Sequence, residues 1–354
     1  LTALRFSLRN VSDNPVLGVL RPRQGFPIIV AGLFLTSIST ACASEFALTD
    51  ATTAIGEITT QSTTADQTLM DVARANDVGY TELMAVNPGV NAWLPGNGAL
   101  IKVPGFHLLP DAPREGIVLN VAARRLFYFP KENANGERRV ETFPVAIGAM
   151  NSATPEGITK IVRGVRLPTW YPPESIRRKD PSLPGAVPPG RDNPLGKFAF
   201  YLDWPQYLIH GTNQPDGIGR AVSHGCIQLY PEDIQRLSEI VPIGTKVHIV
   251  NQEFALAMHN GDLYLEVHPS LHQSEAIEVN TTHEPEPPVD LQSKVKAFAE
   301  AHDVRMLDWA VVEKAGKERD GIPVVIGHGT ASLTTIIASN DRTKLYPADL
   351  YFLP

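Results

Sequence analysis

The chain has 354 residues, of which 43% are hydrophobic and 19% charged, and its formal net charge is −7. That length allows two or three domains with their own cores, and the balance is that of a globular protein rather than a disordered one. A mildly acidic chain offers no footprint for a phosphate polyanion, so no nucleic acid partner is expected.

In chain order the first element is a leader. Arg5, Arg9, Arg21 and Arg23 precede the apolar run 26–38, and Ala41-Cys42-Ala43 follows it. Basic residues, a short apolar run and an Ala-x-Ala site read as a secretory signal peptide over residues 1–43, cut after Ala43. The run is too short to prefer a stable bilayer span. A rival reading makes Cys42 a lipidated first residue, against which Ser39 stands where an aliphatic side chain is usual. Leu1 is not a methionine, which leaves the position of the true start open. Export puts thiols in an oxidising compartment, where paired cysteines become disulfides. Cys42 and Cys226 are the only two cysteines, so loss of the leader leaves Cys226 without a partner in its own chain. An unpaired thiol in an exported protein calls for a reason, and nucleophilic catalysis supplies one.

Residues 44–56 are small and polar and read as a linker, and 57–104 read as one small module. Thr68 suits an N-cap with Asp71 in the first turn, and Leu69, Val72 and Ala73 follow at helical spacing. Tyr80 to Val86 predicts a second short helix stopped by Asn87-Pro88-Gly89, and Ile101 and Val103 alternate with Lys102 in a closing strand. The runs Asp66-Gln67-Thr68-Leu69, Asn87-Pro88-Gly89-Val90-Asn91, Leu94-Pro95-Gly96 and Ile101-Lys102-Val103-Pro104 resemble a LysM module. The resemblance implies a small α+β fold, strand–helix–helix–strand, that binds N-acetylglucosamine-containing glycans. Its opening strand, around Ile58, is weakly marked. The plainer reading of these residues is a generic capping domain.

From Gly116 the period changes to that of strands. Runs at 117–121, 126–129, 140–147, 199–202, 207–209 and 246–250 are β-rich, and only Pro231 to Val241 looks helical. Many short strands with Gly and Pro turns predict a mainly β domain over 115–251. A Pro-rich stretch from Leu167 to Pro194 interrupts it, and adjacent Trp170 and Tyr171 are unusual in a disordered linker. They either serve function or pack the loop down. Residues 252–274 read as a strand-bearing extension with a strand at Asp262 to Val267, and 275–289 as an acidic, Pro-bearing linker. The remainder, 290–354, completes a C-terminal α+β extension of unknown role, with a helix marked by Leu291, Val295 and Phe298. A strand at Trp309 to Val312 is expected there to pair with Ile322 to Ile326.

The chemistry concentrates in Ile209-His210-Gly211-Thr212-Asn213, Gly217-Ile218-Gly219 and Ser223-His224-Gly225-Cys226-Ile227-Gln228-Leu229. A thiol of ordinary pKa, about 8.5, is mostly protonated at neutral pH, and a neighbouring imidazole activates it by taking the proton to give a thiolate–imidazolium pair. His210 ends a predicted strand and so has a rigid mount, while His224 is two residues from the sulfur. The glycines permit tight turns and close approach of main-chain amides, the donors of an oxyanion hole. His210, His224 and Cys226 are also zinc-ligand types, but one cysteine and no Cys-x-x-Cys argue against a metal, and no cofactor is expected.

Taken together, the run resembles the YkuD-type L,D-transpeptidase family, whose hallmark is a His-Gly followed by Ser-His-Gly-Cys. The likeness takes in Thr154-Pro155-Glu156-Gly157, Pro168 to Pro173, Asn193-Pro194-Leu195-Gly196 and Pro231-Glu232-Asp233-Ile234. It is nearest to the periplasmic Gram-negative branch that joins a LysM module to this domain. The resemblance implies a β-sandwich with one short helix, Cys226 as nucleophile and His210 as proton carrier oriented by the Gly211 carbonyl. His224, Gly225 and the Cys226 N–H would surround the oxyanion, and Ser223, Thr212 and Asn213 would line the substrate site. Trp170 and Tyr171 would belong to a lid over the peptide stem. It further implies peptidoglycan as substrate, releasing D-Ala and forming 3–3 cross-links or attaching a lipoprotein Lys. A water acceptor would make the enzyme an L,D-carboxypeptidase. Gln228 departs from the pattern, since the family usually has Arg two residues after the cysteine, and Arg220 is a candidate replacement cation. That departure also keeps open a catalytically dead wall-binding protein, and an ordinary L,L cysteine peptidase is a further alternative.

Overall fold

The computed structural model describes residues 44–329, so the leader readings, Cys42 and the segment 330–354 lie outside the described residues. Among these residues strands dominate. Nine of them form one sheet in the order Ser44–Leu48, Arg138–Pro144, Arg125–Phe129, Gly116–Asn120, Lys246–Val250, Gly157–Arg166, Phe198–Leu202, Leu208–His210 and Ile227–Gln228.

The sheet turns on its long strand, Gly157–Arg166. Residues 157–160 pair with Lys246–Val250, whereas 161–166 pair with Phe198–Leu202, with a register shift between Ile161 and Arg163. A bulge of this kind bends a strand and increases its twist. Both halves then contribute to one core: Ile117, Leu126 and Phe143 from the first, and Phe200, Ile209 and Ile227 from the second. The expected sandwich is therefore a single sheet folded over its own apolar face. The helix Pro231–Ile240 closes this core with Ile234 and Leu237, and Pro231 occupies its first turn, where a missing N–H costs nothing.

Residues 44–48 are not a linker. They form the edge strand of the sheet, with Ser44 opposite Thr142 and Leu48 opposite Arg138, and Phe46 packs on the cluster of Ile55, Val118, Phe127 and Val140. A strand of five residues with only Phe46 and Leu48 as large apolar side chains leaves a short apolar signal in the sequence.

The expected strand–helix–helix–strand order is present in the small module. Ile58–Ser62 pairs antiparallel with Leu100–Pro104, and helices α1 (Leu69–Ala75) and α2 (Tyr80–Ala85) lie between them in the chain. Thr68 Oγ1 accepts from the Asp71 amide at 3.1 Å while Asp71 Oδ2 accepts from the Thr68 amide at 2.9 Å. This capping box satisfies two otherwise orphaned donors. Asn87 ties the end of α2 to the closing strand, donating to the carbonyls of Leu83 and Lys102 and accepting from the Lys102 amide.

The Pro-rich stretch contains a second helix of the central domain, α3 (Glu174–Lys179), beside α4 (Pro231–Ile240), so the expectation of one helix is corrected. The acidic segment read as a linker from 275 is also corrected, because α5 spans Leu271–Glu278 behind a capping box of Ser270 and Gln273. On either side of it in the chain, Phe254–His259, Asp262–Val267, Val324–Gly329 and Val304–Leu307 form a four-stranded sheet, in that order, which α6 (Leu291–Ala301) and α7 (Trp309–Glu318) cover. Residues 252–267 and 291–329 thus share one core of Leu263, Leu265, Val295, Val312 and Ile326. The expected strand at Trp309 to Val312 is the first turn of α7, because Asp308 Oδ1 accepts from the amides of Ala310 and Val311 and starts a helix there. Val324–Gly329 pairs instead with Asp262–Val267 and Val304–Leu307.

Candidate active site

Two neighbouring strands carry the two central residues. Leu208–His210 runs parallel to Ile227–Gln228, with Ile209 opposite Ile227 and His210 opposite Gln228. Ile209 and Ile227 both face the core. Strand alternation turns His210 and Gln228 to the other side, and Cys226, one residue before its strand, falls on that side too. The fold thus brings His210 and Cys226 to one face from positions sixteen residues apart.

His210 is 4% exposed, and its Nδ1 donates to the Gly211 carbonyl at 2.6 Å. With that proton committed, Nε2 is the nitrogen left to accept one. Burial pushes the imidazole down to about 4, although the Gly211 carbonyl favours the protonated ring. Gly211 itself has no room for a side chain, since a Cβ there would sit 2.9 Å from Ile234 Cγ2 on α4.

Cys226 is a free, half-buried thiol whose Sγ lies 3.6 Å from the Gln206 carbonyl, to which it donates. Burial pushes its pKa up, with a Leu208 main-chain hydrogen bond working in the opposite direction. Both shifts favour neutral forms.

A polar brace shapes the turn in front of the sulfur. Ser223 Oγ donates to the Cys226 carbonyl at 2.6 Å and accepts from the Gly225 amide at 3.1 Å. Thr154 Oγ1 donates to the Gly225 carbonyl at 3.1 Å and accepts from the Gly148 amide at 3.0 Å. Gly225 has φ +103°, and a Cβ there would stand 3.0 Å from Tyr207 Cε1, so only glycine fits. The Gly225 N–H is committed to Ser223. Thr154, Gln206 and Tyr207 were not singled out from the sequence. Thr154 lay in a run that carried the family resemblance, whereas nothing local marks Gln206 or Tyr207.

The remaining expected residues divide. His224 is exposed beside Cys226. Gln228 is half-buried and exchanges main-chain hydrogen bonds with Ala146 at 2.9 and 3.0 Å. Thr212 is buried and caps a turn by accepting from the Gln214 amide, and Asn213 is exposed. Trp170 pairs through its main chain with Val187 in both directions, which closes the Pro-rich stretch into a folded loop. Tyr171 is 70% exposed. The buried Asn193 side chain holds that loop by donating to the carbonyls of Pro168, Val187 and Pro188. The loop's return is packed against Gly211 and Thr212: a Cβ on Gly196 would lie 2.8 Å from the Thr212 amide nitrogen. Arg220 is not a free cation, because its Nε donates to Glu278 at 2.7 Å.

Residues 114–249 match the family profile described as the L,D-transpeptidase catalytic domain, YkuD. Three Escherichia coli K12 proteins named as probable L,D-transpeptidases are similar over most of their length. YbiS is 38% identical over 73% of this chain and 83% of its own, and ErfK/SrfK is 36% identical over 72% and 81%. YcfS is 37% identical over 75% and 82%. Among solved structures, the catalytic domain of Enterococcus faecium L,D-transpeptidase overlaps at 19% identity and a TM-score of 0.30, covering 40% of this chain and 99% of that one. With three relatives above one-third identity across more than four-fifths of their length, this chain belongs to the YkuD-type L,D-transpeptidase family and is an enzyme of that class.

Proposed function

We propose that Cys226 is the acyl-accepting nucleophile and His210 its proton carrier, acting on the tetrapeptide stems of peptidoglycan. The observation that carries this is the buried His210 ring, oriented by Gly211 on the strand beside Cys226. Cys226 Sγ attacks the carbonyl carbon between the L-centre of diaminopimelate and the terminal D-Ala, as His210 Nε2 takes the thiol proton. The tetrahedral adduct breaks its C–N bond, and the imidazolium returns that proton to the leaving D-Ala amine. A Cys226 thioester remains. An acceptor amine then attacks, losing a proton to His210, and the thiolate leaves and is reprotonated. A stem amine gives a 3–3 cross-link, a lipoprotein Lys gives an anchored protein, and water gives a shortened stem.

Because burial works against the charged form of both groups, proton transfer accompanies attack rather than preceding it. The Cys226 amide is the proposed oxyanion donor, with the exposed His224 at its edge. Gln228 brings no charge and Arg220 is engaged, so the stem carboxylates are met by the exposed cations of α3, Arg177, Arg178 and Lys179. Trp170 and Tyr171 stand in the same loop and serve as its apolar contact with the stem. The strand–helix–helix–strand order supports the LysM reading of 57–104 and, with it, glycan binding. The leader supports export to the periplasm.

Two measurements test this reading. Intact-mass spectrometry after mixing with a carbapenem should show one adduct on Cys226 and none on Cys226→Ala. Digestion of purified peptidoglycan incubated with the enzyme, followed by muropeptide mass analysis, identifies the acceptor. D-Ala release at the wild-type rate by Cys226→Ala would exclude the mechanism.

A further inference from the structure

The glycine loop 217–219 lies a few residues upstream of Cys226. It is the place where the small module and α5 meet the catalytic domain. The Tyr80 amide, at the start of α2, donates to the Ile218 carbonyl at 3.0 Å. The backbones touch so closely that a Cβ on Gly219 would fall 2.3 Å from the Tyr80 nitrogen, and one on Gly79 would fall 2.8 Å from Gly219 Cα. Glu278, at the last turn of α5, joins all three parts. Its carboxylate accepts from Arg220 Nε at 2.7 Å and from Thr81 Oγ1 at 2.6 Å, and its carbonyl accepts from Tyr80 Oη at 3.1 Å. The Arg220 guanidinium also lies over the Tyr80 ring, 5.2 Å from its centroid.

This clamp sits directly before the nucleophile. The Arg220 carbonyl accepts from Ile147, the strand Ala221–Ser223 follows, and Ser223 then holds both Gly225 and Cys226. We propose that Glu278 is a positioning residue: through Arg220 it fixes the 217–224 segment and hence the sulfur, which makes the small module and α5 part of the catalytic scaffold. Glu278 touches no reacting atom. The proposal rests on the reading of Cys226 as nucleophile.

A second tether between module and domain supplies the control. Arg74 on α1 donates twice, at 2.6 and 2.7 Å, to Glu232 on α4, which lies six residues after Cys226 and outside the 217–226 segment. Glu278→Ala, Glu278→Gln, Thr81→Val and Arg74→Gln would be compared in the full chain for D-Ala release from a disaccharide tetrapeptide and for amide hydrogen exchange across 217–226. A misplacement of the reacting atoms lowers turnover more than affinity, so Glu278→Ala should lose about tenfold or more in kcat with KM within about twofold. Exchange over 217–226 should rise, Glu278→Gln should recover much of both losses, and Arg74→Gln should change neither. If Glu278→Ala fails to fold, Thr81→Val carries the test with a smaller loss of the same kind. Unchanged kcat and exchange in the Glu278 or Thr81 variants would overturn the proposal, as would an equal loss in Arg74→Gln. A wild type that releases no D-Ala, while exchange still rises in Glu278→Ala, would overturn the catalytic reading and leave the clamp standing.

Discussion

His210 gives its Nδ1 proton to the carbonyl of the next residue, Gly211, at 2.6 Å, so the imidazole is locked in one tautomer with Nε2 left to act as base. Burial holds that imidazole down to about 4 and the Cys226 thiol above its ordinary value. The base is thus unprotonated and the thiol protonated across the neutral range. The pH profile of D-Ala release should fall on the acid side with a midpoint near 4, the value of the buried ring, and stay flat through neutrality. Stopped-flow acylation by a carbapenem, followed from acid to neutral pH, reads the same limb. A midpoint near the ordinary histidine value, about 6.5, would show that the ring is not desolvated in the working enzyme.

Thr154 and Ser223 brace the nucleophile turn through four hydrogen bonds. Thr154→Val removes two and leaves the Gly148 amide without its acceptor, at a cost of about 1–3 kcal/mol. Ser223→Ala frees the Gly225 amide and the Cys226 carbonyl together. Both variants should fold, with a lower midpoint in urea, yet lose about tenfold or more in kcat. Wild-type kcat in Ser223→Ala would show that the turn keeps its shape without the hydroxyl.

How much of this was readable from residues follows from where the information lies. The strand that ends at His210, the Thr68–Asp71 cap and the strand–helix–helix–strand order depend on local pattern, and all were legible. The strand Gly157–Arg166 was not, because beyond the bend it exposes Arg163 and Arg166 and its alternation breaks there. The edge strand at 44–48 exists only through pairing with Arg138–Pro144, which no local signal announces. In Trp309–Glu318 the run Trp-Ala-Val-Val suggests a strand, and the capping Asp308 decides for a helix. At the site, the residues that bond through side chains were recognisable as types, whereas the Gln206 carbonyl and the engagement of Arg220 by Glu278 are tertiary and left no trace.

His268 links acid lability to the packing of the C-terminal sheet. Burial first, and then Arg124, Arg319 and Arg125, push it down to about 3. An unfolded histidine binds its proton below about 6.5, so between these values the unfolded chain holds the extra proton. Its contribution to stability is complete above about 6.5 and is lost as pH falls, by about 2 kcal/mol at pH of about 5. His268→Gln removes that dependence. The variant should be less stable than the wild type at neutral pH, where it loses the packed ring, and the gap should narrow by about the same amount on acidification. Chemical denaturation of both proteins at the two pH values measures it, and a constant gap would mean the ring is charged in the folded state.

Gln228 lies on the face of His210 and Cys226, where the family resemblance leads one to expect arginine. A guanidinium there adds a fixed charge and a planar fork that matches a carboxylate, which glutamine lacks. If the stem carboxylates are met by Arg177, Arg178 and Lys179 of α3, neutralising all three to glutamine should raise KM severalfold, leave kcat nearly unchanged and weaken the dependence of KM on salt. Gln228→Arg should then lower KM in the wild type and restore it in the neutralised α3 variant, since either cation source satisfies the same carboxylate. Steady-state kinetics on the four proteins form a double-mutant cycle whose coupling term reports this exchange. Neutralisation that leaves KM and its salt dependence unaltered would assign α3 to shape alone. An effect of Gln228→Arg confined to melting temperature would make the residue after Ile227 a brace of the strand pair and not a contact to substrate.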